Sequence, residues 1–122
     1  MKNYVLIAVS MAGLFLTAPA QAGDAAAGAK VFKKCKACHY VDRKKNKSGP
    51  HLVNVVGRAA GVVEGFKYSK AMAGSGLVWD ETILTGFLAK PKKYLKGTKM
   101  SFAGLKKETD IANVIAYLKA AK

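Results

Sequence analysis

Apolar residues stand at helical spacing near the end of the chain. Ile111, Val114, Ile115 and Leu118 fall at i, i+3, i+4 and i+7, the stripe that one face of a helix buries. Lys119 and Lys122 close that segment, where cations suit the helix dipole. A shorter helix is predicted over Ala25–Lys34, with Ala27, Gly28, Val31 and Phe32 along one side. Asp80 is a plausible N-cap for a helix over Glu81–Ala89, and Glu81 is well placed for its dipole. Pro91 has no N–H to give, so it must end or restart that helix. A brief helix is predicted over Tyr68–Ala73. From Asp42 to Gly61 the pattern is that of a loop: a basic run (Arg43, Lys44, Lys45, Lys47), then Ser48-Gly49-Pro50, then Gly57 and Gly61. No segment alternates like a strand. The pattern predicts one all-α domain of short helices and long loops, without repeats or an internal linker.

The first 22 residues read differently. Lys2 gives a positive start, Val5 to Leu16 is an uncharged run of apolar and small residues, and Pro19-Ala20-Gln21-Ala22 carries the A-x-A pattern of a signal-peptidase site. A retained span would need about 20 apolar residues, more than this run offers. Residues 1–22 are therefore expected to be a leader cleaved after Ala22. The mature domain would be 23–122, exported to the periplasm with no permanent membrane anchor.

Composition narrows the function. With 122 residues there is room for one small domain. Its 51% hydrophobic content opposes disorder. A mature chain of about 100 residues with Gly-rich loops buries little apolar area, so something else should help fill its interior. A large flat cofactor would do so. Two cysteines cannot build a disulfide scaffold or a four-Cys zinc site.

Those two cysteines carry the chemistry. Cys35-Lys36-Ala37-Cys38-His39 is a C-x-x-C-H run, the attachment signature of c-type haem. Residues i and i+3 of a helical turn point to one side, so both sulfurs can bond the vinyl groups of one haem edge. The next residue then lies under the iron, where an imidazole nitrogen can ligate it. A thioredoxin-like redox pair would want a βαβ surround, and a zinc site would want two more ligands where only His51 is left over. Candidates for a sixth iron ligand are His51, Met72 and Met100. His51, 12 residues beyond His39, is better read as a polar loop residue, and Met72 as core filler. Spacing favours Met100, in a loop (Lys96-Gly97-Thr98-Lys99-Met100) that can wrap the opposite face.

Taken in order, the landmarks resemble class I cytochrome c, and within it the bacterial, mitochondrial-like cytochrome c2 group. They are Gly28 and Phe32, Cys35–His39, Gly49-Pro50, Gly57-Arg58, Gly65-Phe66-Lys67-Tyr68-Ser69, Trp79, Pro91-Lys92-Lys93-Tyr94, Gly97-Thr98-Lys99-Met100, Phe102-Ala103-Gly104 and Ala116-Tyr117-Leu118. The resemblance implies the cytochrome c fold around one haem c, anchored through Cys35 and Cys38 with His39 and Met100 as axial ligands. It implies that the Pro50 carbonyl accepts the His39 ring N–H, and that Arg58, Tyr68, Ser69, Trp79 and Thr98 bind or screen the haem propionates. Gly28 would let the first helix cross the last closely, with Phe32, Val114 and Tyr117 at the crossing. Two residues depart from the family pattern. Phe87 stands where a Tyr often bonds the ligating sulfur, and Met72 where an Asn often joins a buried polar network. Losing a donor to the sulfur should lower the reduction potential.

The charge suits such a role. The chain has 21 Lys+Arg against 7 Asp+Glu, a formal charge of +14. Loss of the leader removes only Lys2 and leaves +13. A surface so basic attracts anionic partners and speeds encounter. Lys34, Lys47, Lys92, Lys93, Lys99, Lys106 and Lys107 would ring the haem edge in this family and form the docking face. The function implied is that of a monomeric one-electron carrier, not an enzyme. Its partners would be membrane-bound redox complexes with acidic docking faces: a cytochrome bc complex as donor, and a terminal oxidase or photosynthetic reaction centre as acceptor. The alternative is a ligand-binding or peroxidase-like haem protein in which Met100 leaves the iron. Nucleic acid is not an expected partner, because no base-reading motif is present.

Overall fold

Gly28 decides how the two ends of the domain meet. In a computed structural model, which describes residues 10, 12–14 and 23–121, Gly28 is buried where helix α1 (Ala25–Val31) crosses helix α5 (Glu108–Ala120). A β-carbon there would run into the Asn113 carbonyl and come within 2.8 Å of Tyr117 Cβ. Glycine is therefore required by the closeness of the two backbones. Phe32 and Tyr117 pack beside the crossing with ring centroids 5.1 Å apart. The predicted stripe of α5 (Ile111, Val114, Ile115, Leu118) is buried, and Val114 is 2% exposed. The Asp24 carboxylate caps α1 by accepting from Ala26 and Ala27 N–H, while Asp24 N–H donates to Asn113 Oδ1 at 2.8 Å. The same residue starts α1 and ties it to α5.

The helix predicted over 25–34 ends earlier, at Val31, and tightens into a 3₁₀ turn at Phe32–Lys34. That turn delivers the chain into Cys35, whose N–H donates to the Phe32 carbonyl at 2.8 Å. The brief helix α2 covers Lys70–Ala73 rather than 68–73, because the Ser69 hydroxyl serves as its N-cap and accepts from Met72 N–H at 3.0 Å. Helix α3 is Glu81–Ala89 as predicted, with Asp80 Oδ1 accepting from Ile83 N–H at 2.8 Å. Pro91 restarts the chain as the first residue of α4 (Pro91–Tyr94).

The loops between are not loose. Gly57 N–H donates to the Trp79 carbonyl, Trp79 N–H to the Arg58 carbonyl and Ala60 N–H to the Leu77 carbonyl. These bonds stitch the segment around residue 58 to the one entering α3. Two isolated bridges, His39 with Asn46 and Ala59 with Val78, are the extended pairings among the described residues, and no strand forms there. Many core side chains (Phe32, Leu84, Phe87, Leu88, Leu105) also line an internal cavity of about 380 Å³. Folding thus closes the helices and loops around a hollow, where the small core called for added filling. The expected leader, residues 1–22, lies largely outside the described residues, as does Lys122.

Candidate haem site

The cavity falls within the roughly 300–1,000 Å³ span of ligand pockets, and its walls come from nearly every segment of the chain. The C-x-x-C-H run forms one of them. Cys38 N–H and His39 N–H both return to the Cys35 carbonyl, at 3.1 and 3.0 Å. This helical turn puts both thiols on the cavity. Burial pushes the Cys35 thiol pKa up, helped by Cys38, against the nearby Lys34 charge. Cys38 is exposed, and neither cysteine is in a disulfide.

His39 follows on the same turn and is 9% exposed. Its Nδ1 lies 2.7 Å from the Pro50 carbonyl. A carbonyl can only accept, so Nδ1 carries the proton and Nε2 keeps its lone pair. Burial lowers the His39 pKa, with the Arg58 and Lys47 charges acting the same way and the Pro50 bond opposing them. The ring thus favours its neutral form, with the Nε2 lone pair available. Gly49 makes the arrangement possible: a β-carbon there would strike the His39 ring, 2.7 Å from Nδ1, and sit 3.0 Å from the Cys38 carbonyl.

Arg58 contributes the clearest sign of a missing partner. Its Nη1 and Nη2 donate to the Val53 and His51 carbonyls at 3.0 Å each, its Nε is buried without an acceptor, and the residue forms part of the cavity wall. A buried guanidinium N–H left unpaired is costly, and burial holds the Arg58 pKa below its usual value. A carboxylate in the cavity would balance this half-buried charge. Much of the rest of the wall is apolar, with thioethers from Met72 and Met100. Two thiols, a neutral imidazole, apolar walls and an arginine awaiting an anion fit a haem with its propionates.

Tyr68, Ser69, Trp79 and Thr98 also line the cavity. The Tyr68 hydroxyl accepts from Val63 N–H at 3.0 Å and the Thr98 hydroxyl from Met100 N–H at 3.4 Å. Each of these hydroxyls, and that of Ser69, keeps its hydrogen free to donate. Trp79 is buried and packs against Phe87, ring centroids 4.9 Å apart. The structure therefore brings all ten residues expected at the cofactor (Cys35, Cys38, His39, Pro50, Arg58, Tyr68, Ser69, Trp79, Thr98, Met100) onto one cavity. His51 stays off it: its Nδ1 accepts from Val53 N–H, and its own N–H donates to Asn46. Lys67 lines the cavity too, a residue the sequence marked only as part of a family landmark.

The competing readings of the cysteines find no support. Among the described residues there is no strand to build a βαβ unit, and no group of three or more His, Cys, Asp or Glu placed to hold a metal.

Comparison with known proteins agrees with the geometry. The family model described as cytochrome c matches residues 25–122. This chain belongs to the cytochrome c family. It is 56% identical over 89 residues to cytochrome c2 iso-2 of Magnetospirillum fulvum, covering 73% of this chain and 93% of that one. With cytochrome c2 of Blastochloris viridis it shares 46% identity over 112 residues, 88% of each chain. The solved structure of cytochrome cH from Methylobacterium extorquens superposes with a TM-score of 0.77 at 48% identity, over 80% of this chain and 99% of that one. These relatives place it with class I cytochromes c of the c2 group, which are electron-transfer proteins and not enzymes. The family holds haem c through two cysteines, which here are Cys35 and Cys38 in C-x-x-C-H spacing.

The expected docking lysines fall into three groups. Lys34 and Lys99 line the cavity and are exposed, so they stand where the cavity meets solvent. Lys92 and Lys93 lie exposed on α4, and Lys106 and Lys107 just before α5. Lys47 is held, donating to the Lys36 carbonyl at 2.8 Å with its ammonium 4.1 Å above the Tyr40 ring. Among the described residues no helix is long and apolar enough to cross a membrane.

Proposed function

We propose that the chain works in the periplasm as a diffusible one-electron carrier, after cleavage of residues 1–22 behind Ala22. It takes electrons from a cytochrome bc complex and passes them to a terminal oxidase or a photosynthetic reaction centre. The observation that carries this reading is the shared cavity: two thiols, the oriented His39 and the Met100 thioether line one apolar space. When bound, haem c supplies a ferric/ferrous couple whose potential depends on its axial ligands and surroundings.

The chain's own residues do the rest. Cys35 and Cys38 anchor one edge, and Pro50 fixes the ring plane and basicity of His39 through Nδ1. Met100, on the same cavity, would offer its thioether to the iron and so close the site to exogenous ligands. Arg58 would balance the charge of a propionate, and Tyr68, Ser69, Trp79 and Thr98 would shield the propionates from water. Lys34 and Lys99, with Lys47, Lys92, Lys93, Lys106 and Lys107, draw the exposed edge toward acidic faces of membrane-bound oxidoreductases.

An optical spectrum of the purified ferric and ferrous protein, then with carbon monoxide, tests the reading. A long-wavelength sulfur-to-ferric-iron band without carbon monoxide uptake near neutral pH is expected. Absence of the band with rapid uptake would instead indicate an open iron and a ligand-binding or peroxidase-like protein.

A further inference from the structure

A second cavity, of about 200 Å³, shares no residue with the haem site. It lies among Gly23, Glu81 and Thr85 of α3, and Ala112, Ile115 and Lys119 of α5. Gly23 is pressed against α5: a β-carbon there would collide with the Ala112 carbonyl and lie 2.9 Å from Asn113 N. The next residue is clamped, through the bond from Asp24 N–H to Asn113 Oδ1. Gly23 is also the residue directly after Pro19-Ala20-Gln21-Ala22.

We infer that this cavity is a seat for the chain's own processed amino terminus, whose ammonium pairs with the Glu81 carboxylate. The inference rests on the leader reading given above. Hydrolysis of the Ala22–Gly23 bond by a signal peptidase consumes one water, leaving a carboxylate on Ala22 and an amine on Gly23 that takes up a proton. The acids around the seat have different commitments. The Asp24 carboxylate accepts from Ala26 and Ala27 N–H, and Asp80 from Ile83 N–H. Glu81 lines the cavity itself, where its partner is Lys119. The Thr85 hydroxyl donates to the Glu81 carbonyl and keeps lone pairs to accept. A compact cation with three donors suits that pair of acceptors, and only glycine can bring it so near α5. Processing then adds an ionic contact that joins the start of α1 to both α3 and α5.

The test uses holo-protein purified after export. Intact mass first reports the terminus. A chain that keeps residues 1–22 would overturn the leader reading and the seat together. With a Gly23 terminus, acylation of the α-amine near pH 8 is followed on the N-terminal peptide. The amine should react about two- to fivefold more slowly in the native protein than in Glu81→Gln, the effect of a partly exposed ion pair on an amine whose ordinary pKa is ~7.7–8.0. Glu108→Gln, outside the cavity, should match the native rate. Gly23→Ala should lose the protection and melt at a lower temperature with its haem spectrum unchanged. Equal rates in native protein and Glu81→Gln would overturn the seat while leaving the leader reading intact.

Discussion

Replacing Gly49 with alanine adds one methyl group against the histidine that the site depends on. The backbone itself can accept alanine, because Gly49 is not among the glycines with positive φ. The methyl would nevertheless sit 2.7 Å from His39 Nδ1 and 3.0 Å from the Cys38 carbonyl, well inside ordinary contact distance. The ring must move, and moving it lengthens the 2.7 Å bond to the Pro50 carbonyl. Overpacking of this kind costs about 1–3 kcal/mol, and a weakened neutral hydrogen bond adds about 0.5–1.5 kcal/mol. The expected loss is about 2–4 kcal/mol, a large part of the ~5–15 kcal/mol that holds a domain together. Gly57→Ala supplies the comparison. There φ is +89° and nothing lies within 4 Å of the added carbon, so its cost of about 1–2 kcal/mol is purely conformational. Denaturant unfolding of both holo-proteins gives the two free energies. Redox titration should show a raised potential for Gly49→Ala alone, since a weaker Nδ1 bond makes the imidazole a poorer donor to ferric iron. A Gly49→Ala loss below about 0.5 kcal/mol with an unchanged potential would refute the claim that Gly49 exists to admit the His39 ring.

Other outcomes follow from the same geometry. Phe87→Tyr should raise the midpoint potential by about 20–60 mV, the one-electron equivalent of a ~0.5–1.5 kcal/mol hydrogen bond to the Met100 sulfur; an unchanged or lower value in a spectroelectrochemical titration would count against it. Arg58→Gln removes the charged donors to the Val53 and His51 carbonyls and should cost about 2 kcal/mol in urea unfolding; less than 0.5 kcal/mol would show that those bonds are dispensable. Lys99→Glu, at the cavity mouth, should slow electron transfer to an acidic partner about threefold or more at low salt and flatten its ionic-strength dependence. Lys30→Glu, exposed on α1 away from the cavity wall, should change it less. Burial, then the Arg58 and Lys44 charges, hold the His51 pKa below the ordinary histidine value. The unfolded chain therefore binds that proton first, and the His51 contribution to stability is full above pH ~6.5 and lost as pH falls through the folded midpoint. An NMR titration of His51 should find that low midpoint, and His51→Gln should reduce the loss of stability in acid.

Local chemistry made several features legible from residues alone. Asp80 caps α3, Pro91 restarts the chain, and the α5 stripe is buried, because a carboxylate, a missing N–H and a 3.6-residue period act over a few neighbours. The spacing of Cys35, Cys38 and His39 works in the same way, since one helical turn sets all three directions. Boundaries were less legible. Ser69 lost its place inside a helix by becoming the cap, and α1 ended at Val31 because the chain had to turn toward Cys35.

What the amino-acid order determined by itself was the set of helices, the attachment motif and the surplus of positive charge, all properties of composition or short-range geometry. Only the tertiary structure decided that residues from Cys35 to Met100, spread over separate loops, line one cavity, that Gly49 stands against the His39 ring and that Arg58 joins that wall with its Nε buried and unpartnered. It also removed His51 from the candidates and brought Lys67 in. The physical reason is that loops carry no periodicity to read. Their course is set by long-range contacts such as Gly57 with Trp79, Gly49 with Cys38 and Leu105 with Leu88, whose partners are identified only when the chain closes.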